Sequence, residues 1–208
     1  MIRNTLLSIV ATLAVAAAVA HAGPGTETSS FGTLSVWGSN PPSFGGTSGG
    51  APAAFGGQYQ FGWPVGQSHR WVAAPAVGIG YGQYKTQTSG SPSYTSSAVT
   101  WDALLDFLYY NDCCDDDDFY CGPGIYYEST SPKYSPSTPS FTFDPVNTFG
   151  GELTVGGGVP FGSRMQWVGS ITERFGYTTE NVTEFGAHAK FSSTTLSTQV
   201  SGGLRWGF

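Results

Sequence analysis

Ser201-Gly202-Gly203-Leu204-Arg205-Trp206-Gly207-Phe208 is the stretch whose reading decides the fold. Strand side chains point alternately to opposite faces. In an extended chain Val200, Leu204, Trp206 and Phe208 therefore share one face, and Gln199, Ser201, Arg205 and Gly207 share the other. In water this would be an edge strand with bare aromatics, which is an aggregation hazard. In a closed barrel crossing a bilayer, the apolar face meets lipid and the last strand pairs with the first.

Working back along the chain, seven more segments alternate in the same way. The first runs near Phe31 to Gly38, with Leu34 and Val36 on one face. The second, near Ala53 to Trp63, sets Phe55, Tyr59, Phe61 and Trp63 against Gln58 and Gln60. The third, near Trp71 to Tyr81, sets Trp71, Val77, Ile79 and Tyr81 against Ala74, Ala76, Gly78 and Gly80. The fourth, near Ala98 to Tyr110, sets Val99, Trp101, Leu105, Phe107 and Tyr109 against Thr100, Asp102 and Asp106. Here Trp101, Leu104, Leu105 and Leu108 also fit a helical stripe, but unbroken alternation and the even count of a barrel favour a strand. The fifth spans Phe119 to Glu128, although Gly122-Pro123-Gly124 lies within it and proline has no amide hydrogen for a ladder. The sixth runs near Thr148 to Val159 and the seventh near Arg164 to Phe175; the eighth runs from Thr194 to Phe208.

The terminal segment resembles the C-terminal assembly signal of bacterial outer-membrane β-barrels. Ser201, Gly203, Trp206 and Phe208 fill its polar, glycine and two aromatic places. Residues 23–208 as a whole resemble the small eight-stranded outer-membrane barrels of the opacity-protein or OmpA-transmembrane-domain type. The expected fold is all-β: an eight-stranded antiparallel up-and-down transmembrane barrel. Long connections near 39–52, 82–97, 129–147 and 176–193 would be its extracellular loops, and shorter ones its periplasmic turns. The resemblance implies contact with outer-membrane lipid and lipopolysaccharide. It also implies delivery by periplasmic chaperones and the barrel-assembly machinery.

The other end of the chain agrees. Arg3, the apolar run from Leu6 to Ala20, and Ala20-His21-Ala22 read as a secretory signal peptide over residues 1–22, cleaved before Gly23. Charged residues make up 11% and aromatics 15%, with 30 glycines, which excludes a charge-rich disordered chain. Mean hydropathy is -0.10, the average of an object apolar outside and polar inside. A formal charge of -6 disfavours nucleic acid, whose phosphates require a basic footprint.

The inward charged set is Asp102, Asp106, Glu152, Arg174 and Arg205, with Gln58, Gln60, Gln166 and Gln199. Eight strands enclose a lumen just wide enough for side chains. These groups therefore read as a plug of ion pairs and hydrogen bonds rather than as the lining of a wide conduit. Cys121 is expected to form a disulfide with Cys113 or Cys114, since export is oxidising. The run Asp115 to Asp118 lacks the spaced ligands of a calcium loop and reads as a solvated acidic turn. His69 has no nucleophile beside it except Ser68. His188, with Glu184, Ser192 and Ser193, loosely resembles the Ser-His-acid set of outer-membrane lipid A deacylases, but position 190 is Lys where that family's His-x-Ser spacing needs Ser.

No catalytic residue, cofactor or metal site follows from these residues. The expectation is a non-enzymatic outer-membrane barrel with a structural or surface-interaction role through its loops. The alternatives are a narrow pore or carrier for small or hydrophobic solutes, a lipid A-modifying barrel enzyme, and a soluble secreted β-sandwich. Deleting Phe208 should leave the chain in the periplasm, because the last strand loses its terminal aromatic. Membrane fractionation of the truncated protein checks this, and unimpaired insertion would count against the assembly-signal reading.

Overall fold

The computed structural model describes residues 30–39, 54–66, 70–86, 94–111, 118–135, 141–143, 145–161, 165–184 and 187–207. The expected signal peptide, His69, Cys113, Cys114, Asp115 to Asp117 and Phe208 lie outside the described residues. The strands are β1 Phe31–Ser39, β2 Ala54–Val65, β3 Trp71–Thr86, β4 Tyr94–Asn111, β5 Asp118–Ser135, β6 Phe141–Phe143, β7 Val146–Pro160, β8 Met165–Glu184 and β9 Ala187–Gly207. Every pairing is antiparallel, and β9 pairs with both β8 and β1, so eight strands close into an up-and-down barrel. The short β6 adds to β8 beyond the end of β7. Phe143 stands opposite Val182 and Asn147 opposite Thr179, so the β6–β7 side holds one residue more than its partner. Pro145 sits in that interval, where a bulge removes the need for its missing N–H.

Register sets the shape of the barrel. A walk along paired residues from Leu204 passes through Leu34, Tyr59, Val77, Ala103, Tyr127, Phe149 and Tyr177 and returns to β9 at Thr194. It arrives ten residues from its start, from position 204 to position 194. Such a stagger requires tilted strands, as in closed barrels whose strands lean about 35–45°.

Alternation places apolar side chains outside. Leu34, Val36, Phe55, Val77, Ile79, Leu153, Trp167, Phe175 and Leu196 are all exposed on the outer wall. In water this surface would be untenable; in hydrocarbon it is the belt that holds the barrel. Trp101 and Leu105 face outward while Leu104 and Leu108 face inward, so the helix-like stripe of β4 is divided between two faces. In β5 the ladder to β4 skips Gly122 and Pro123, while the ladder to β7 runs through both. The proline thus interrupts one edge without ending the strand.

The ladder runs further than the expected loops allow. β3 continues to Thr86, β4 begins at Tyr94, β5 reaches Ser135, β8 reaches Glu184 and β9 begins at Ala187. Strand therefore occupies much of 82–97, 129–147 and 176–193. The physical reason is that the loss of apolar alternation marks where lipid ends, not where hydrogen bonding ends. Polar runs such as Thr178-Thr179-Glu180-Asn181-Val182-Thr183 pair with Ser193 to His188 without any lipid-facing pattern.

Val155 lies on the outer wall between Leu153 and Gly157 of β7. Val155→Arg should lower unfolding free energy by about 2–4 kcal/mol if its side chain sits near the bilayer midplane. Val155→Leu should be close to neutral. Urea unfolding in lipid vesicles checks the pair, and equal small losses would reverse the assignment of faces.

Candidate functional site in the barrel interior

The interior is built in layers. At the end that carries the termini, Phe31, Val72, Ala74, Leu108, Tyr110 and Tyr120 form one buried cluster. Arg205 enters this layer from β9. Its guanidinium carbon lies 4.2 Å from the Phe31 ring centroid and 4.9 Å from that of Tyr120. Its Nε donates to Thr33 Oγ1 at 3.3 Å. Cation–π attraction in a desolvated setting holds such a guanidinium.

Arg174 of β8 organises the layer above. Its Nε donates to Glu152 Oε2 at 2.8 Å and its Nη2 to Asp102 Oδ2 at 3.1 Å. Nη1 lies 3.7 Å from Glu128 Oε2, and the guanidinium carbon lies 4.9 Å from the centroid of Tyr126. Glu152 is the direct cross-strand partner of Arg174, whereas Asp102 on β4 stands across the lumen. One guanidinium thus ties three strands through its planar fork. Asp102 and Glu128 are direct cross-strand partners, a like-charge pair that would repel without Arg174 between them.

Two glycines give these acids their room. A Cβ on Gly78 would collide with Asp102 Oδ1, and a Cβ on Gly124 would collide with Asp106 Oδ1 and press on Glu152 Cγ at 3.0 Å. Gly124 is the cross-strand neighbour of both Asp106 and Glu152, so these two carboxylates lean toward each other over β5. Asp106 accepts a hydrogen bond from Gln60 Nε2 at 3.1 Å. Hydroxyl pairs stitch neighbouring strands at matching heights: Thr154 with Thr172 at 3.0 Å, Ser170 with Ser201 at 2.7 Å and Thr148 with Thr178 at 2.8 Å. Toward the long-connection end, the buried indole of Trp37 lies across Gly56 and Gly80.

Between the two arginine layers lies a cavity of about 40 Å³. Its wall includes Ser35, Gln58, Gln60, Asp106, Glu152, Thr172, Arg174 and Gln199. A water needs roughly 10–15 Å³ of such space, so the cavity holds a few waters and not a solute.

All five expected interior charges lie inside, in two layers. Asp102, Glu152 and Arg174 meet directly, Asp106 leans toward Glu152 over Gly124 and accepts from Gln60, and Arg205 sits in the aromatic layer. Glu128 and Tyr126 were missed. The signal was present, since Gly124, Tyr126, Glu128 and Thr130 alternate with Ile125, Tyr127 and Ser129. The Gly-Pro-Gly stretch obscured it. Glu173 was also missed; it stands on the outer wall between Ile171 and Phe175 and accepts a hydrogen bond from Thr198 Oγ1 at 2.8 Å.

Ser201 takes part in the hydroxyl stitching, Gly203 packs closely on the β1 backbone at Leu34 and Ser35, and the Trp206 indole covers Gly32. These three residues of the expected assembly signal therefore sit on the seam where the barrel closes. Cys121 is half-buried in β5 opposite Tyr109 and Val155, and its expected disulfide partners, Cys113 and Cys114, lie outside the described residues. Alternation turns it toward the outer wall with Phe119 and Pro123. His188 pairs with Thr183, Ser192 with Thr179 and Ser193 with Thr178, so the register places no serine opposite the histidine.

Similar folds occur among solved outer-membrane proteins. The outer membrane protein OprG from Pseudomonas aeruginosa matches with a TM-score of 0.62 at 10% identity, over 90% of this chain and 97% of that one. Outer membrane protein AlkL, solved in lipid bilayers, matches with a TM-score of 0.57 at 14% identity, over 91% of this chain and 92% of that one. A major outer membrane protein from Thermus thermophilus matches with a TM-score of 0.50 at 14% identity, over 85% of this chain and 99% of that one. No known protein family and no curated protein matches the sequence. The fold is that of the small outer-membrane β-barrels.

Arg174→Met should lower unfolding free energy by about 3–5 kcal/mol, because the buried Asp102 and Glu152 and the half-buried Glu128 lose their cation. Adding Glu152→Gln to that variant should recover part of the loss, since one uncompensated charge disappears. Urea unfolding of the single and double variants checks the coupling.

Proposed function

We propose that this chain is an integral protein of the bacterial outer membrane, exported by a cleaved signal peptide. Its barrel is closed, and it works through the strands and loops that rise beyond the lipid. The observation that carries this reading is the filled interior. Among the described residues a buried aromatic layer, an arginine layer and ties between facing strands occupy the bore, with a space of about 40 Å³ between the layers. No chemistry is assigned to it, and the role is structural or one of surface interaction.

The length and polarity of β8 and β9 support the second half of the reading. A tilted strand crosses a bilayer in about 9–11 residues. β8 has 20 residues and β9 has 21. Outward side chains on β8 change from Ile171, Phe175 and Tyr177 to Thr179 and Asn181, and on β9 from Leu196 to Thr194, Ser192 and Lys190. That change marks the edge of the hydrocarbon, and what lies past it is a ribbon in water. The partner this ribbon meets is an extracellular one, with lipopolysaccharide as its immediate surroundings.

Planar-bilayer recording tests the closed interior. Refolded wild-type protein should insert without producing discrete current steps. Steps of uniform size from the wild type would overturn the reading in favour of a narrow pore.

A further inference from the structure

The rim of the barrel is uneven, and it leaves one long strand edge without a neighbour. β9 pairs with β8 without a break from Ala187↔Glu184 to Trp206↔Met165. On its other side it pairs with β1 only from Gln199↔Ser39 to Gly207↔Phe31. Among the described residues no strand lies beside the β1-facing edge of β9 from Ala187 to Thr198. The other edges at this rim are shorter: Gln83 to Thr86 of β3 rises past β2, and Ser131 to Ser135 of β5 rises past β7. The top of β8 carries β6 on its far edge.

In an antiparallel ladder successive residues turn their N–H and C=O groups to opposite neighbours. Every second residue of this stretch therefore offers a donor and an acceptor to the open side, which is a template for another strand. Natural sheets blunt such edges with proline, bulges or charges. Phe191 to Thr198 reads Phe-Ser-Ser-Thr-Thr-Leu-Ser-Thr, with no proline, glycine or charge, and its register with β8 holds no bulge. β1 is ill suited to climb further along it. The sequence after Ser39 is Asn40-Pro41-Pro42, and a proline has no N–H to donate to a ladder.

We propose that the open edge of β9 from Ala187 to Thr198 takes up an extended polypeptide segment of an extracellular partner, added as an antiparallel strand in line with β1. Geometry decides against a second copy in the same membrane. Below Thr198 the place beside β9 belongs to β1, and a neighbouring barrel's straight β9 needs that place for its own lower half. A segment arriving from outside the cell needs no room below Ser39. The exposed side chains state its chemistry. Lys190, Ser192 and Thr194 stand on the outward face of the edge strand. Cross-strand pairing favours hydroxyl or β-branched residues opposite the last two and a carboxylate opposite the lysine. Main-chain hydrogen bonds supply the affinity of such an added strand, and the side chains its selectivity. The inference deepens the surface-interaction reading and rests on it for the placing of the ribbon outside the cell.

The test uses the full mature chain refolded in detergent micelles, with amide hydrogen exchange read along β9. In the free protein alternate amides between Lys190 and Thr198 should exchange fast, while those bonded to β8 stay slow. The probe is a synthetic peptide with the sequence of Thr178 to Glu184, Thr-Thr-Glu-Asn-Val-Thr-Glu, which already pairs with this part of β9 from the other side. It should bind saturably and slow the fast set of amides. N-methylation of every second peptide residue removes the donors of one side only. One phase of methylation should weaken binding by about tenfold or more, through the loss of several hydrogen bonds, and the other phase should not. Fast amides that are already slow in the free protein would overturn the inference, because the chain's own residues then cover the edge. No saturable binding, or equal binding of both methylated peptides, would overturn it too. Outside placement is checked separately by Ser192→Cys and a membrane-impermeant thiol label on intact cells. Labelling above the wild-type level without peptide binding sinks this inference alone. Peptide binding in micelles without labelling on cells sinks the surface-interaction reading and the extracellular partner with it.

Discussion

Closure of the barrel is the constraint on which everything else depends. In hydrocarbon an unpaired strand edge has no water to satisfy it, so β9 must find β1. It does so along an unbroken register from Phe31↔Gly207 to Ser39↔Gln199. Once eight strands are joined with this stagger, the lumen has a fixed bore that only side chains can fill. Outward positions must then be apolar and inward positions must satisfy one another. The closing seam shows both demands at adjacent residues. Arg205 turns inward to an aromatic cage, and Trp206 turns outward to cover Gly32.

This constraint explains what could be read from the chain alone. Alternation is a local property, so the outer and inner faces of β2, β3, β4, β7 and β8 were legible in single residues. Asp102 and Asp106 could be placed inside because Trp101, Leu105 and Phe107 had to lie outside. Pairings inside the lumen were not legible. That Arg174 reaches Asp102, while Arg205 meets Phe31 and Tyr120, depends on how far apart β4, β8 and β9 stand around the ring. No spacing along the sequence encodes that angle. The length of the hairpins was hidden for a different reason. Beyond the lipid the outer face becomes polar, and polar strand and polar loop look alike until their hydrogen bonds are seen.

Proline and glycine misled in opposite directions. Gly122-Pro123-Gly124 looked like a break, yet Gly124 is what allows Asp106 and Glu152 to approach one another. The same lack of a side chain at Gly78 makes space for Asp102. In a lumen this narrow, a large inward side chain needs a small one opposite it. The small inward residues Gly78 and Gly80 of β3 are the complement of Asp102 and of the Trp37 indole. A pattern of inward glycine and alanine predicts an open path only if nothing large faces it.

The interior and the projecting strands are mechanically one object. An isolated two-stranded ribbon is marginal in water, and three strands are needed before a sheet holds itself. Here β6 adds the third strand, pairing Phe141 to Phe143 with Glu184 to Val182, which in turn pair with Ala187 to Ala189. The lower end of the ribbon has a firmer base. Thr179 lies five positions along β8 from Arg174, whose guanidinium is tied to Glu152 and, across the lumen, to Asp102. Thr178, next to it, shares a buried hydroxyl contact with Thr148 of β7. A strand clamped at its base and paired on both edges above it keeps its direction as it leaves the membrane. The charged plug therefore does more than fill space: it fixes the orientation in which the polar face of Thr179, Asn181 and Ser192 is presented.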